Sequence, residues 1–80
     1  MQPLRSYTLK VLTSYFENLG DESPSKLHEM VLQEVEIPLL QIVLEQTKGN
    51  QSKAAAILGL SRSTLHKKLK LYQLLNSIEN

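Results

Sequence analysis

The sequence predicts an all-α protein, and three observations carry that expectation. Apolar residues recur every three or four positions along most of the 80 residues, the spacing that lines one face of a helix. Strand signals are absent: there is no sustained apolar-polar alternation, no Asn-Gly or Asp-Gly turn between β-branched runs, and only three tyrosines and one phenylalanine. Glycine, proline, serine and asparagine fall where helices must start or stop.

Four helices follow in order. Pro3 sits where a first-turn proline is tolerated, and Leu4, Tyr7, Thr8, Val11, Leu12, Tyr15, Phe16 and Leu19 share one stripe, giving a first helix that stops at Gly20. The segment GDESPS breaks the periodicity, and Ser23 followed by Pro24 reads as an N-cap with proline at the first helical position of a second helix, 24–47. That helix begins with a stripe of Leu27, Met30, Val31 and Val35, but its segment IPLLQIVL, 37–44, is apolar nearly all round and must be covered on every side. Pro38 within it cannot donate to the carbonyl of Glu34, so the spacing predicts a kink in one continuous helix. Gly49 is placed to take a left-handed cap and Asn50 to cap a third helix, QSKAAAIL, 51–58. Gly59 closes it, and Ser61 caps a fourth helix that runs from 62 to about 72. The chain thus divides into 1–47 with the first two helices, 48–73 with the last two, and a tail, 74–80.

Composition narrows the functional classes. A chain this short buries a limited share of its surface and calls for a supplement to its core. With no cysteine, disulfides and thiolate metal sites are excluded, and His28 and His66 are too scattered for a metal site, so a partner chain is the supplement that remains. No cofactor is expected. No apolar run approaches the roughly 20 residues that span a bilayer, and 1–10 lacks the pattern of a signal peptide, which predicts a soluble intracellular protein without membrane association. No nucleophile, base and orienter can be assembled, nor a phosphate loop, so catalysis is not expected.

The net charge of +1 conceals a division. Residues 1–47 hold three basic and seven acidic side chains, whereas 48–80 hold six basic and one acidic. One end favours polyanions and the other repels them.

The stretch GNQSKAAAILGLSRSTLHKKL, 49–69, gives that basic end a shape. On a helical wheel Leu65, Leu69 and Tyr72 share one side of the fourth helix, Ser63, Lys67 and Lys70 lie opposite, and Thr64 and His66 flank them. Ala54, Ala55 and Ala56 permit close approach of a second helix, and the three-residue link Gly59, Leu60, Ser61 suits a near-perpendicular crossing. This is a helix-turn-helix. Such a unit inserts the N-terminal turn of its second helix into the major groove of duplex DNA, where Arg62 can donate two hydrogen bonds to guanine and Ser63, Thr64 and His66 can reach base edges or sugar. Lysines further along hold phosphate, and the amides opening both helices give Asn50, Gln51, Ser52 and Ser61 a part in phosphate binding. Each residue also has a plainer role: Asn50 and Ser61 cap helices without DNA, and Lys53 or Lys70 alone reads equally as a solvated charge. Arg62 is the exception, since a helix start offers an arginine no favourable dipole.

The segment EVEIPLLQIVLEQTKGNQSKAAAILGLSRSTLHKKLKLY closely resembles the Fis family of bacterial nucleoid-associated DNA-bending proteins, and the similarity extends without a gap from Pro3 to Tyr72. The part GNQ.KAA..LG..R.TL.KKLK.Y is also shared with the C-terminal domains of NtrC-type activators, while PLR, YF and EVE.PLL specify Fis. The resemblance implies an intertwined homodimer whose first two helices interlock and whose two helix-turn-helix units project from one side, set so closely that the duplex must bend and be read largely by its deformability. It implies DNA contacts at Asn50, Ser52, Ser61, Arg62, Thr64, His66, Lys67, Lys68 and Lys70, to which the charge of Lys53 is added. It further implies a transcriptional regulator of the bacterial nucleoid, in the cytoplasm, with double-stranded DNA as partner and RNA polymerase as a candidate second partner.

Three departures from the family pattern stand out. Ser61 replaces a usual asparagine, and His66 an arginine that is frequent there. The sequence as given starts almost at its first helix, so stimulation of DNA inversion, which family members perform with a mobile arm before that helix, is left out of the expectation, and the segment after Tyr72 is longer than usual. The alternatives are the output domain of an NtrC-type activator and a helical dimerisation adaptor that binds protein through its acidic half.

Overall fold

The computed structural model describes residues 2–75, which form four helices and no strand. α1 is Gln2–Leu19, α2 Leu27–Gln46, α3 Gln51–Leu58 and α4 Arg62–Leu71. α1 ends where expected, with Gly20 at φ 64°. Within it the hydroxyls of Thr8 and Thr13 each donate to the carbonyl four residues earlier, at 2.8 Å. The rings of Tyr15 and Phe16 meet edge to face at 5.7 Å.

α2 starts three residues later than Ser23 and Pro24 predict. Its N-cap is Lys26, in the left-handed region at φ 53° with no side-chain cap bond, and the first amide to close onto it is that of Met30, at 3.0 Å from the Lys26 carbonyl. The physical reason is reach. An extended residue advances about twice as far as a helical one. Residues 22–24 lie outside any helix, carrying the chain across before α2 opens at its first apolar residue, Leu27. Beyond that point α2 runs as one helix through Pro38, not as two abutting helices.

Three helix ends are closed in the same way: a left-handed residue is followed by an amide that reaches back five residues. Lys48 (φ 54°) precedes Gly49 N–H to Leu44 O at 2.8 Å; Gly59 (φ 75°) precedes Leu60 N–H to Ala55 O at 2.9 Å; Gln73 (φ 58°) precedes Leu74 N–H to Leu69 O at 2.7 Å. The first of these corrects the sequence expectation, because Lys48 takes the left-handed turn before Gly49 also adopts a positive φ, of 80°. The last has a larger consequence. It folds Leu74 back into the core, 6% exposed, although the sequence assigns that residue to the tail. The rest of the expected tail, 76–80, lies outside the described residues.

The core is confined to one end of the chain. Leu40, Val43 and Leu44 of α2 pack with Ala54, Ala55, Leu65, Leu69 and Leu74, and Leu58, Tyr72 and Leu75 lean against them. Leu40, Leu65 and Leu69 are at most 1% exposed, and the buried alanines leave room for α3 to approach its neighbours. Among the described residues no side chain of α1 or of the first half of α2 is buried. Between these two helices runs an apolar cleft of about 640 Å³ lined by Tyr7, Val11 and Leu12 on one side and Val35, Leu39 and Ile42 on the other. The all-round apolar segment of α2 is therefore half covered: Leu40, Val43 and Leu44 face the core, while Leu39 and Ile42 stand 47% and 54% exposed. The chain is elongated, 44 × 25 × 22 Å with a radius of gyration of 15.3 Å, against about 12 Å for a compact domain of this length.

Candidate nucleic-acid interface

The link between α3 and α4 is held by backbone and caps. Gly59 supplies the left-handed turn, and a Cβ there would meet nothing within 4 Å, so its requirement is conformational, not steric. At the start of α3, Asn50 Oδ1 accepts from the amide of Lys53 at 3.1 Å. At the start of α4, Ser61 Oγ accepts from the amide of Thr64 at 3.1 Å and donates to Thr64 Oγ1 at 2.8 Å, and the Ser63 hydroxyl lies 3.3 Å away. These caps satisfy amides at the starts of α3 and α4 and set where each helix begins. Leu65 and Leu69 then bury its inner side, which leaves Arg62, Ser63, His66, Lys67 and Lys70 exposed on the outer one.

Arg62, Ser63, His66 and Lys67 line an open groove with Gln51, the first residue of α3. His66 Nδ1 stands 3.3 Å from Gln51 Oε1 across that groove. With the amide oxygen as acceptor, the ring donates from Nδ1 and turns Nε2 away from Gln51. Among the described residues no acidic side chain lies within ion-pair distance of Arg62, Lys67 or Lys70. Their field is uncompensated locally, and it is focused where two helix N-termini open side by side. Asn50, Ser52 and Lys53 are exposed at the edge of the same surface.

Lys68 departs from this group. It is half-buried and turns inward, its Nζ 3.0 Å from Glu36 Oε2 and 3.1 Å from Oε1. Tyr72, one turn further along α4, donates to Glu36 Oε1 at 2.6 Å. The hydrogen bond from Tyr72, reinforced by Lys68 against the opposing effect of burial, holds the Glu36 carboxyl below its ordinary range. The same bond, with burial, pushes the Tyr72 hydroxyl up to about 12. Glu36 is the site residue that sequence reasoning missed. Its signal was a carboxylate at the leading edge of an apolar run, in a chain whose basic C-terminal segment is poor in acids of its own. Gln51, placed as a capping residue by its position, also proves to orient His66.

Among the described residues no group of His, Cys, Asp or Glu could hold a metal ion, and no helix is long and apolar enough to cross a membrane. Four helices, a tight glycine turn and a basic groove at the start of the last helix define a helix-turn-helix protein. Residues 31–72, more than half of the chain, match the family described as bacterial regulatory protein, Fis family. The chain is 48% identical over 71 residues to the DNA-binding protein Fis of Yersinia enterocolitica, 46% to that of Psychromonas ingrahamii and 45% to that of Glaesserella parasuis; each match covers 89% of this chain and 72% of the relative. The protein belongs to the Fis family.

Proposed function

We propose that this protein is a non-catalytic, nucleoid-associated transcriptional regulator that binds and bends double-stranded DNA as a homodimer. The groove at the start of α4 carries the DNA-binding part: Arg62, His66 and Lys67 converge there without acidic neighbours among the described residues, and capped helix ends present them rigidly. Arg62 leads as the groove reader, Thr64 and Ser61 support it, and Asn50, Ser52, Lys53, Lys67 and Lys70 contact phosphate. The names of the relatives, all DNA-binding protein Fis, support the same reading.

The homodimer is supported by the exposed apolar surface. Leu39, Ile42, Tyr7 and Val11 are open in a single chain, and the radius of gyration exceeds that of a compact monomer. A second copy would cover them and complete a dimerisation unit drawn from 1–47, with 48–75 as the DNA-binding unit; the end of α2 serves both. Two units fixed on one rigid dimer dictate the spacing the duplex must match, and bending follows when straight DNA does not. A regulator bound beside a promoter would meet RNA polymerase, the candidate second partner.

The test is duplex binding across a salt series. The expected slope of log affinity against log salt corresponds to about 6 to 10 phosphates neutralised per dimer. A flat or undetectable interaction would refute DNA binding and leave a protein-binding adaptor as the function.

A further inference from the structure

Of the basic residues on α4, Lys68 alone is committed to an acidic partner among the described residues. Lys68 in the last turn of α4 and Tyr72, its C-cap residue four positions on, converge with their donors on one carboxylate of α2. The Glu36 and Lys68 side chains are only 25% and 31% exposed. Glu36 stands one turn before Leu40, the first buried residue of α2, so this contact lies where the packed end of the chain meets the end without a core.

The apolar contacts of Leu40 with α4 are non-directional and fix neither the roll nor the slide of one helix on another. Hydrogen bonds to a carboxylate are directional, and two donors from successive turns constrain both motions. We propose that the Glu36–Lys68–Tyr72 clamp sets the angle of α4 on α2, so that in this chain Lys68 is a positioning residue for the helix-turn-helix and not a phosphate contact. The consequence for DNA rests on the dimeric, DNA-bending reading above: if α2 belongs to the dimer core, the clamp transmits the dimer's geometry to both copies of α4. Small changes in its angle then change the separation of two groove readers, and with it the bend imposed on the duplex. The strengthened Tyr72–Glu36 bond keeps the clamp formed throughout the neutral range.

The test uses the full chain and a short duplex of mixed sequence with a donor and an acceptor dye at its two ends. Lys67→Ala should lower the salt slope by about 0.9 for each chain, the loss of one phosphate. Lys68→Met should leave the slope unchanged and alter the dye-to-dye distance in the complex, and Tyr72→Phe, which keeps the ring, should alter it in the same sense. Should Lys68→Met lower the slope as Lys67→Ala does, Lys68 holds phosphate and the proposal is overturned. It is equally overturned if Tyr72→Phe and Glu36→Gln both leave the dye distance at the wild-type value. A DNA-free arm separates failure of the clamp from failure of DNA binding. In hydrogen exchange of the unbound protein, the amides of residues 69–74 should exchange several-fold faster in Tyr72→Phe than in the wild type, and unchanged exchange refutes the clamp whatever the wild type does with DNA.

Discussion

Tyr72 Oη donates a 2.6 Å hydrogen bond to Glu36 Oε1, joining the end of α4 to the middle of α2 across 36 residues of sequence. One bond shifts both partners, the phenol upward to about 12 and the carboxyl downward, so its contribution has two pH limits. The raised phenol stabilises fully below its unfolded value near about 10 and loses that contribution as pH rises through about 12. The lowered carboxyl stabilises above its ordinary value of 4.5 and loses that contribution as pH falls through its depressed folded-state value. Thermal melts should therefore separate wild type from Tyr72→Phe by about 1 kcal/mol between these limits and converge outside them. A difference that persists unchanged at strongly acid pH would show that the lost hydroxyl acts otherwise.

Arg62 and Lys70 are both exposed on α4, but only Arg62 lines the groove. Arg62→Ala should cost about 1 to 3 kcal/mol of binding and flatten preference at one base of each half-site, whereas Lys70→Ala should weaken all sequences alike. Selection from a random duplex pool with each variant distinguishes these outcomes, and two uniform losses would reduce Arg62 to a phosphate clamp.

His66 hangs on Gln51 at the wall of the groove. A guanidinium there carries a permanent charge and several donors. His66→Arg should therefore tighten duplex binding at neutral pH and steepen the salt slope by about 0.9 for each chain. If the slope does not change, position 66 faces base or solvent, and phosphate contact there is ruled out.

Ile42 is 54% exposed in a single chain, so Ile42→Glu would be nearly harmless to a folded monomer. Covered by a second copy, the same carboxylate would be buried without a partner, at a cost of several kcal/mol. Sedimentation of Ile42→Glu at micromolar concentration should show dissociated or unfolded chains. An undisturbed hydrodynamic state would place the partner surface elsewhere.

Of the three helix ends closed by a left-handed residue and an amide that reaches back five residues, only that of α3 has a glycine, Gly59, in the left-handed position. Gly59→Ala meets no atom within 4 Å and should cost only the backbone strain, about 1 kcal/mol. Gln73→Gly, at φ 58°, should gain about as much by relieving the same strain. Chemical denaturation of both variants measures the pair, and a loss in Gln73→Gly would mean that its side chain contributes a contact.

The sequence by itself determined the four helices, their caps at Asn50 and Ser61, the glycine turn and the inward and outward sides of α4. Each of these is set within a few residues by periodicity, cap chemistry or a required positive φ. It also raised the expectation that 37–44 needs cover, and the single chain supplies that cover on one side, at Leu40, Val43 and Leu44. The start of α2 escaped it, since the length of a crossing depends on where the next helix lies, and so did Leu74, whose burial follows from a cap closed by Gln73. Only the tertiary structure decided the fate of Lys68. The family resemblance groups Lys68 with the other basic residues as a DNA contact, but a carboxylate 32 positions away on another helix turns it inward. That pairing is electrostatic and long-range in sequence, and no local pattern contains the distance between α2 and α4.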